Sequence, residues 1–118
     1  MDVERRWPRW VYATGTEPDP RFTFANERTF LAWLRTALAL VSAGVVLDVV
    51  DLPLAEAEER FIALSLVVLG LACALSSWAR WARAERALRR QEPLPSSSVG
   101  VLLAAGVVVI CVVLLVSI

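Results

Sequence analysis

Lysine and histidine are both absent from this 118-residue chain, and all 12 of its bases are arginine. Without histidine there is no imidazole to bind a metal or act as general base, and without lysine there is no amine for Schiff-base chemistry. Cysteine is scarce as well, with only Cys73 and Cys111. Each falls in the middle of an apolar run with no further ligand nearby, so a small packing residue is the simplest role for both. Net charge is missing too, since 12 acids balance the 12 bases, and nothing in it points to nucleic acid. What the chain has in excess is apolar residues: 58% of the sequence and a mean hydropathy of +0.61. Soluble domains carry roughly 45–50%. Such content excludes disorder over most of the length, and no metal, cofactor or catalytic residue is expected.

Three runs reach the roughly 20 apolar residues that cross a hydrocarbon layer. They lie at about 29–50, 61–82 and 99–118. The third carries no charge, and neither does the stretch from Ile62 to Trp78 in the second. A soluble bundle of such helices would need far more protein to bury them. A signal peptide does not fit either, because the first run starts late, is too long and is followed by two more. The fold class expected is an all-α membrane protein with three transmembrane helices, residues 21–118 forming that domain and residues 1–20 an arm.

Charge placement orients it. Arg5, Arg6, Arg9 and Arg21 precede the first span, and Arg80, Arg83, Arg86, Arg89 and Arg90 follow the second against only Glu85 and Glu92. The first link is acidic, with Asp48, Asp51, Glu56, Glu58 and Glu59 around a lone Arg60. The positive-inside rule then predicts a cytoplasmic N-terminus and second connection, and an external C-terminus.

The arm, with Pro8, Pro18, Pro20 and the group Trp7, Trp10 and Tyr12, reads as mobile, its aromatics suited to headgroups. Pro20 closes it, and Thr23 or Asn26 would cap the first helix. The second helical pattern runs from Phe61 to Arg90, longer than the hydrocarbon core needs, and Trp78 and Trp81 mark where it leaves the membrane. Small residues at helix-contact spacing (Ala39 with Ala43, Gly70 with Ala74, Gly100 with Ala104) predict close helix packing.

Arg35 is the residue least suited to lipid, since a charge at mid-bilayer costs roughly 2.5–3.5 kcal/mol on insertion scales. Arg28 precedes it by seven residues, which places the two about 20° apart on one helix face and roughly 10 Å apart in depth. The same face continues through Ala32, Ala39, Ser42 and Val46. An arginine column over a lane of small residues suits a helix lining a narrow anion path. Structural roles compete with this: Arg28 is near enough to the interface to snorkel, and Arg35 would also serve as partner to Glu27 or to an acid on another helix. Asn26 and Glu27 are candidates for inter-helix pairing.

The stretch Pro20-Arg21-Phe22-Thr23-Phe24-Ala25-Asn26-Glu27-Arg28-Thr29-Phe30-Leu31-Ala32-Trp33-Leu34-Arg35-Thr36-Ala37-Leu38 resembles the signature of the bacterial YidH-like family, domain of unknown function 202. Its core, Asn26 to Leu34, is long and unusual, and the resemblance extends over residues 18–118. It implies a multi-pass protein of the bacterial inner membrane. The domain is similar to the transmembrane part of the eukaryotic vacuolar transporter chaperone complex, which passes polyphosphate through a pore of several three-helix units. That resemblance implies path-lining roles for Arg21 and Arg28, a contribution from Arg80 or Arg83, and a pairing role for Glu27 between units. Arg35 has no basic counterpart there, so its role rests on spacing. The chain holds no counterpart of that complex's catalytic or inositol-phosphate-sensing domains.

The function expected is therefore a homo-oligomeric module in the lipid bilayer, with five copies the number the resemblance implies. It would bind or conduct polyphosphate or another phosphate-rich anion through Arg21, Arg28, Arg35, Arg80 and Arg83. The competing reading is a structural adaptor that anchors a cytoplasmic partner, in which Arg86, Arg89 and Arg90 matter more. An enzyme is not expected, because Glu27 and Asp48, the main titratable groups at membrane depth, lie near opposite ends of one helix.

Overall fold

Asp19 and Pro20 together open the first long helix. In the computed structural model, which describes residues 6–96 and 98–117, the Asp19 carboxylate accepts from the Arg21 backbone N–H at 2.9 Å, and Pro20 occupies the first turn. A proline there forfeits no hydrogen bond, and an aspartate oxygen satisfies one of the orphan donors of a helix start. Neither Thr23 nor Asn26 is the cap, and Pro20 begins the helix rather than ending the arm. The described chain is helical without strands: α1 (Arg9–Tyr12), α2 (Pro20–Val49), α3 (Glu56–Arg90) and α4 (Val99–Ser117).

The last three are long and apolar enough to cross a membrane. At 1.5 Å per residue α2 is about 45 Å long, α3 about 52 Å and α4 about 28 Å. α3 starts five residues before the expected Phe61. Glu56, Glu58 and Glu59 occupy its first turn and Arg89 and Arg90 its last, and both sets suit the helix dipole. It ends on Gln91 in the left-handed conformation, φ 55°.

Packing is concentrated between α2 and α3, where glycine lets the backbones approach. A Cβ on Gly70 would lie 2.9 Å from the Ala37 carbonyl, and one on Gly44 would lie 2.8 Å from that of Ala63. α4 packs mainly on α3, with Gly106 against the Leu69 side chain, and its first turn meets α2, where a Cβ on Gly100 would lie 3.7 Å from the Trp33 ring. Ala37, Cys73 and Val99 form a small core joined by Trp33 and Ala74. Of the predicted small-residue pairs, Gly70–Ala74 sits in the α2–α3 seam, while Ala39 and Ala43 are exposed on α2. Both cysteines are free; Cys73 is buried and Cys111 exposed.

Residues 6–19, expected as a mobile arm, pack against the arginine-rich end of α3. Val11 is fully buried. The Arg89 side chain, only 4% exposed, donates to the carbonyls of Thr14 at 2.9 Å and Tyr12 at 3.1 Å. Its own backbone carbonyl accepts from Thr16 N–H at 2.9 Å. Gly15 sits between them with φ +63°, and a Cβ there would run into the Arg89 carbonyl. Arg5 of the predicted N-terminal cluster, Ser97 of the turn before α4 and the terminal Ile118 lie outside the described residues.

Candidate functional site

Because α2 begins at Pro20, Arg21 joins Arg28 and Arg35 on a single helix. Two successive steps of seven residues keep all three within about 40° of rotation and spread them over roughly 21 Å of depth. All three are exposed, as are Ala32, Ala39, Ser42 and Val46 along the same face. Neither α3 nor α4 of the chain covers this lane. Arg21 is paired with Asp19, its Nη2 2.8 Å from Oδ2. Among the described residues Arg28, Arg35 and Glu27 form no ion pair within the chain.

The opposite side of α2 is satisfied internally. Asn26 is buried in the seam, where its Nδ2 donates to the Trp81 carbonyl at 3.1 Å and to Glu85 Oε1 at 3.3 Å. Its Oδ1 accepts from Arg80 Nη1 at 3.3 Å. Arg28 lies two residues further along α2, which is 200° round the helix. Arg80 therefore stands on the far side of α2 from the arginine column, at a cleft of about 160 Å³ lined by Phe22, Asn26, Thr29, Ala84 and Leu94. Arg83 is exposed on α3. The five candidate arginines thus do not converge within one chain.

Two groups have roles in the structure that the sequence did not indicate. Glu85 looked like a minor acid in an arginine run, yet it is 1% exposed and bonded to Asn26. Arg89 is a clamp for the arm rather than a surface for a partner. No local signal marks either, since their partners are 59 to 77 residues away. Of the other arginines favoured for an adaptor, Arg86 lies 4.7 Å over the Trp10 ring and Arg90 pairs with Glu92 at 3.0 Å.

Around the arm, electrostatics follow the same contacts. The hydrogen bond from Arg6, 2.6 Å from Glu17, holds the Glu17 carboxyl below its usual range, with Arg89 adding to the effect. Burial pushes the Tyr12 hydroxyl above its usual range, and the nearby Glu85 charge acts in the same direction. Arg21 lowers the Asp19 carboxyl by hydrogen bonding. Among the described residues no group of three or more histidines, cysteines or acids is placed to hold a metal ion.

These features define a helical membrane protein with three apolar helices long enough to span, a glycine-packed α2–α3 pair and a basic face on α2. Residues 21–87 match the family described as Domain of unknown function (DUF202), and the chain belongs to that family. It is similar to inner membrane protein YidH of Escherichia coli strain K12, with 39% identity over 102 residues, covering 86% of this chain and 89% of that protein. It is also similar to the uncharacterized protein Rv2272 of Mycobacterium tuberculosis, with 45% identity over 105 residues, covering 87% of this chain and 85% of that one. No solved structure matches the chain.

Proposed function

We propose that the protein is a homo-oligomeric module of the bacterial inner membrane that binds or conducts a phosphate-rich anion, polyphosphate being the first candidate. One observation carries this reading: Arg21, Arg28 and Arg35 form an exposed column on a face of α2 that the chain's other helices leave bare. An arginine at membrane depth needs water, an acid or an anion around it. Several copies with their α2 faces turned toward a common axis would supply an aqueous path lined by guanidinium groups. Arginine suits phosphate because its planar fork donates two hydrogen bonds and stays charged in low dielectric. The described resemblance to the membrane part of a polyphosphate-passing complex supports the same substrate class, and the relatives named as inner membrane proteins support the location. The reading takes the N-terminus as cytoplasmic and the C-terminus as external, on the distribution of arginine between the loops. It assigns the chain no reaction, since Glu27 and Asp48 are about 32 Å apart along α2.

Native mass spectrometry of the purified protein in detergent, with and without polyphosphate, tests it. The expected result is a defined oligomer that gains polyphosphate mass, and a double variant Arg28→Ala, Arg35→Ala that assembles but gains none. Vesicles holding the double variant should show no polyphosphate flux. A monomer indifferent to polyphosphate, or undiminished flux in the double variant, would overturn the proposal.

A further inference from the structure

Trp7 and Trp10 are 73% and 51% exposed, although each already has protein against its ring. Trp7 stacks on Trp78 with ring centroids 5.6 Å apart, and the Arg86 guanidinium lies over Trp10. Pro8 and Val11 between and beside them are buried. Both rings are thus held in place with their remaining surface turned outward. Their height follows from the register along α3. Trp78 ends the charge-free part of that helix, and Arg80 is the next charge. Arg86 comes eight residues after Trp78, about 12 Å further along the axis, and Arg89 about 16 Å from Trp78. Each headgroup layer is roughly 5–8 Å deep, the difference between a ~30 Å core and a ~40–45 Å bilayer shared by two leaflets. The arm therefore runs down α3 toward the bilayer. Trp7 stands at the boundary between hydrocarbon and headgroups, and Trp10, at the level of Arg86, stands a few ångströms beyond the headgroup layer, on its water side.

We propose that the segment Trp7–Trp10 is a membrane-surface docking element whose partner is the phospholipid headgroup layer. Trp7, paired on Trp78, lies in the interface where an indole keeps its ring in apolar surroundings and its N–H in wet ones. The exposed Arg9 beside Trp10 supplies a guanidinium for lipid phosphate. Lipid, rather than a soluble protein, is the occupant because the depth of Trp78 brings Trp7 to the membrane boundary. The inference is independent of the anion reading: it depends on the arm and α3, and it holds for either orientation of the chain.

The test is depth-dependent fluorescence quenching of the full chain in phosphatidylcholine–phosphatidylglycerol vesicles. One variant keeps Trp7 alone, and a second keeps Trp10 alone, the other tryptophans being phenylalanine. Trp7 should be quenched several-fold more by lipid brominated near the headgroup than by lipid brominated near the chain end, and only weakly by acrylamide in the water. Trp10 should be quenched strongly by acrylamide and only weakly by either brominated lipid. If Trp7 is quenched freely by acrylamide and not by brominated lipid, the arm is in solution and the proposal fails. Shielding of Trp7 from both quenchers would place it against protein, in a second copy or a partner, and would equally overturn it. Because four substitutions at once can disturb folding, Trp7→Phe in the otherwise natural chain provides a second reading. It should remove more of the shallow-lipid quenching than Trp10→Phe does, and equal losses would contradict the assigned depths.

Discussion

The two faces of α2 solve the problem of polarity in a membrane in opposite ways. The inward face carries one buried polar side chain, Asn26, and three bonds to α3 use both its donor and its acceptor ends. The rest of that face is small or apolar, with Trp33 and Ala37 reaching the core and Gly44 giving α3 backbone-to-backbone contact. The outward face carries three arginines, of which only Arg21 is ion-paired among the described residues. A polar group satisfied inside the chain has a structural role, whereas one left to the surroundings has to be completed by water, an anion or a second copy. The contrast separates the surroundings of Asn26 from those of its near neighbour Arg28.

Substitutions that fill the inward face should have the largest effect on folding. Gly70→Leu would drive a side chain into the Ala37 carbonyl and Val41, and overpacking of this kind costs about 1–3 kcal/mol or more. Loss of protected helix, measured by hydrogen exchange in micelles, should follow. Ala39→Leu, on the outward face, should leave the helices of the monomer intact and weaken only the proposed homo-oligomer, read as a shift to lower mass. If the two variants behave alike, the faces are not different in kind.

Asn26→Ala comes next. It would strand Glu85 and Arg80 without their shared partner, an effect of about 1–3 kcal/mol. Thermal denaturation in detergent should show a lower midpoint, while Asn26→Ala leaves the outward column untouched.

Gly15→Ala should detach the arm without unfolding the spans, because the clash with the Arg89 carbonyl is confined to the clamp. Trypsin should then cut at Arg6 and Arg9 much faster than in the natural chain, with no change in helical content.

The smallest expected effect is from pH. Glu17 titrates lower in the docked arm than in an undocked one because Arg6 and Arg89 favour its charged form. Its contribution is therefore complete above the ordinary carboxylate range and fades as the pH falls through the lowered value. The carboxylate is about half exposed, so the contribution is at most about 1 kcal/mol. Arm protection against trypsin, or against a protease active in acid, should decline only slightly at low pH, and Glu17→Gln should remove that decline.

Much of the fold was legible from hydropathy and charge. Three spans, the end of α3 at Arg90 and the column of Arg28 and Arg35 all follow from period and composition, which are properties of a short window of chain. The helix starts were less legible. Asp19 and Pro20 read as arm, yet they are a cap and a first turn, and this moved Arg21 onto α2. The arm itself read as mobile because its composition is polar and proline-rich, while the clamp that holds it depends on Arg89, more than 70 residues away.

Length, apolar content and the seven-residue spacing of arginine already determine that this chain belongs in a membrane and that one α2 face is basic. These follow from local geometry, since 3.6 residues per turn and 1.5 Å of rise need no partner. Which face of α2 meets α3, and therefore that Asn26 and Arg80 turn into the seam while Arg21, Arg28 and Arg35 turn away, was decided only by tertiary packing. The physical reason is that close approach at Gly44 and Gly70 depends on the shapes of two helices together, and a hydrogen bond across 59 residues, as between Asn26 and Glu85, leaves no trace in either segment alone.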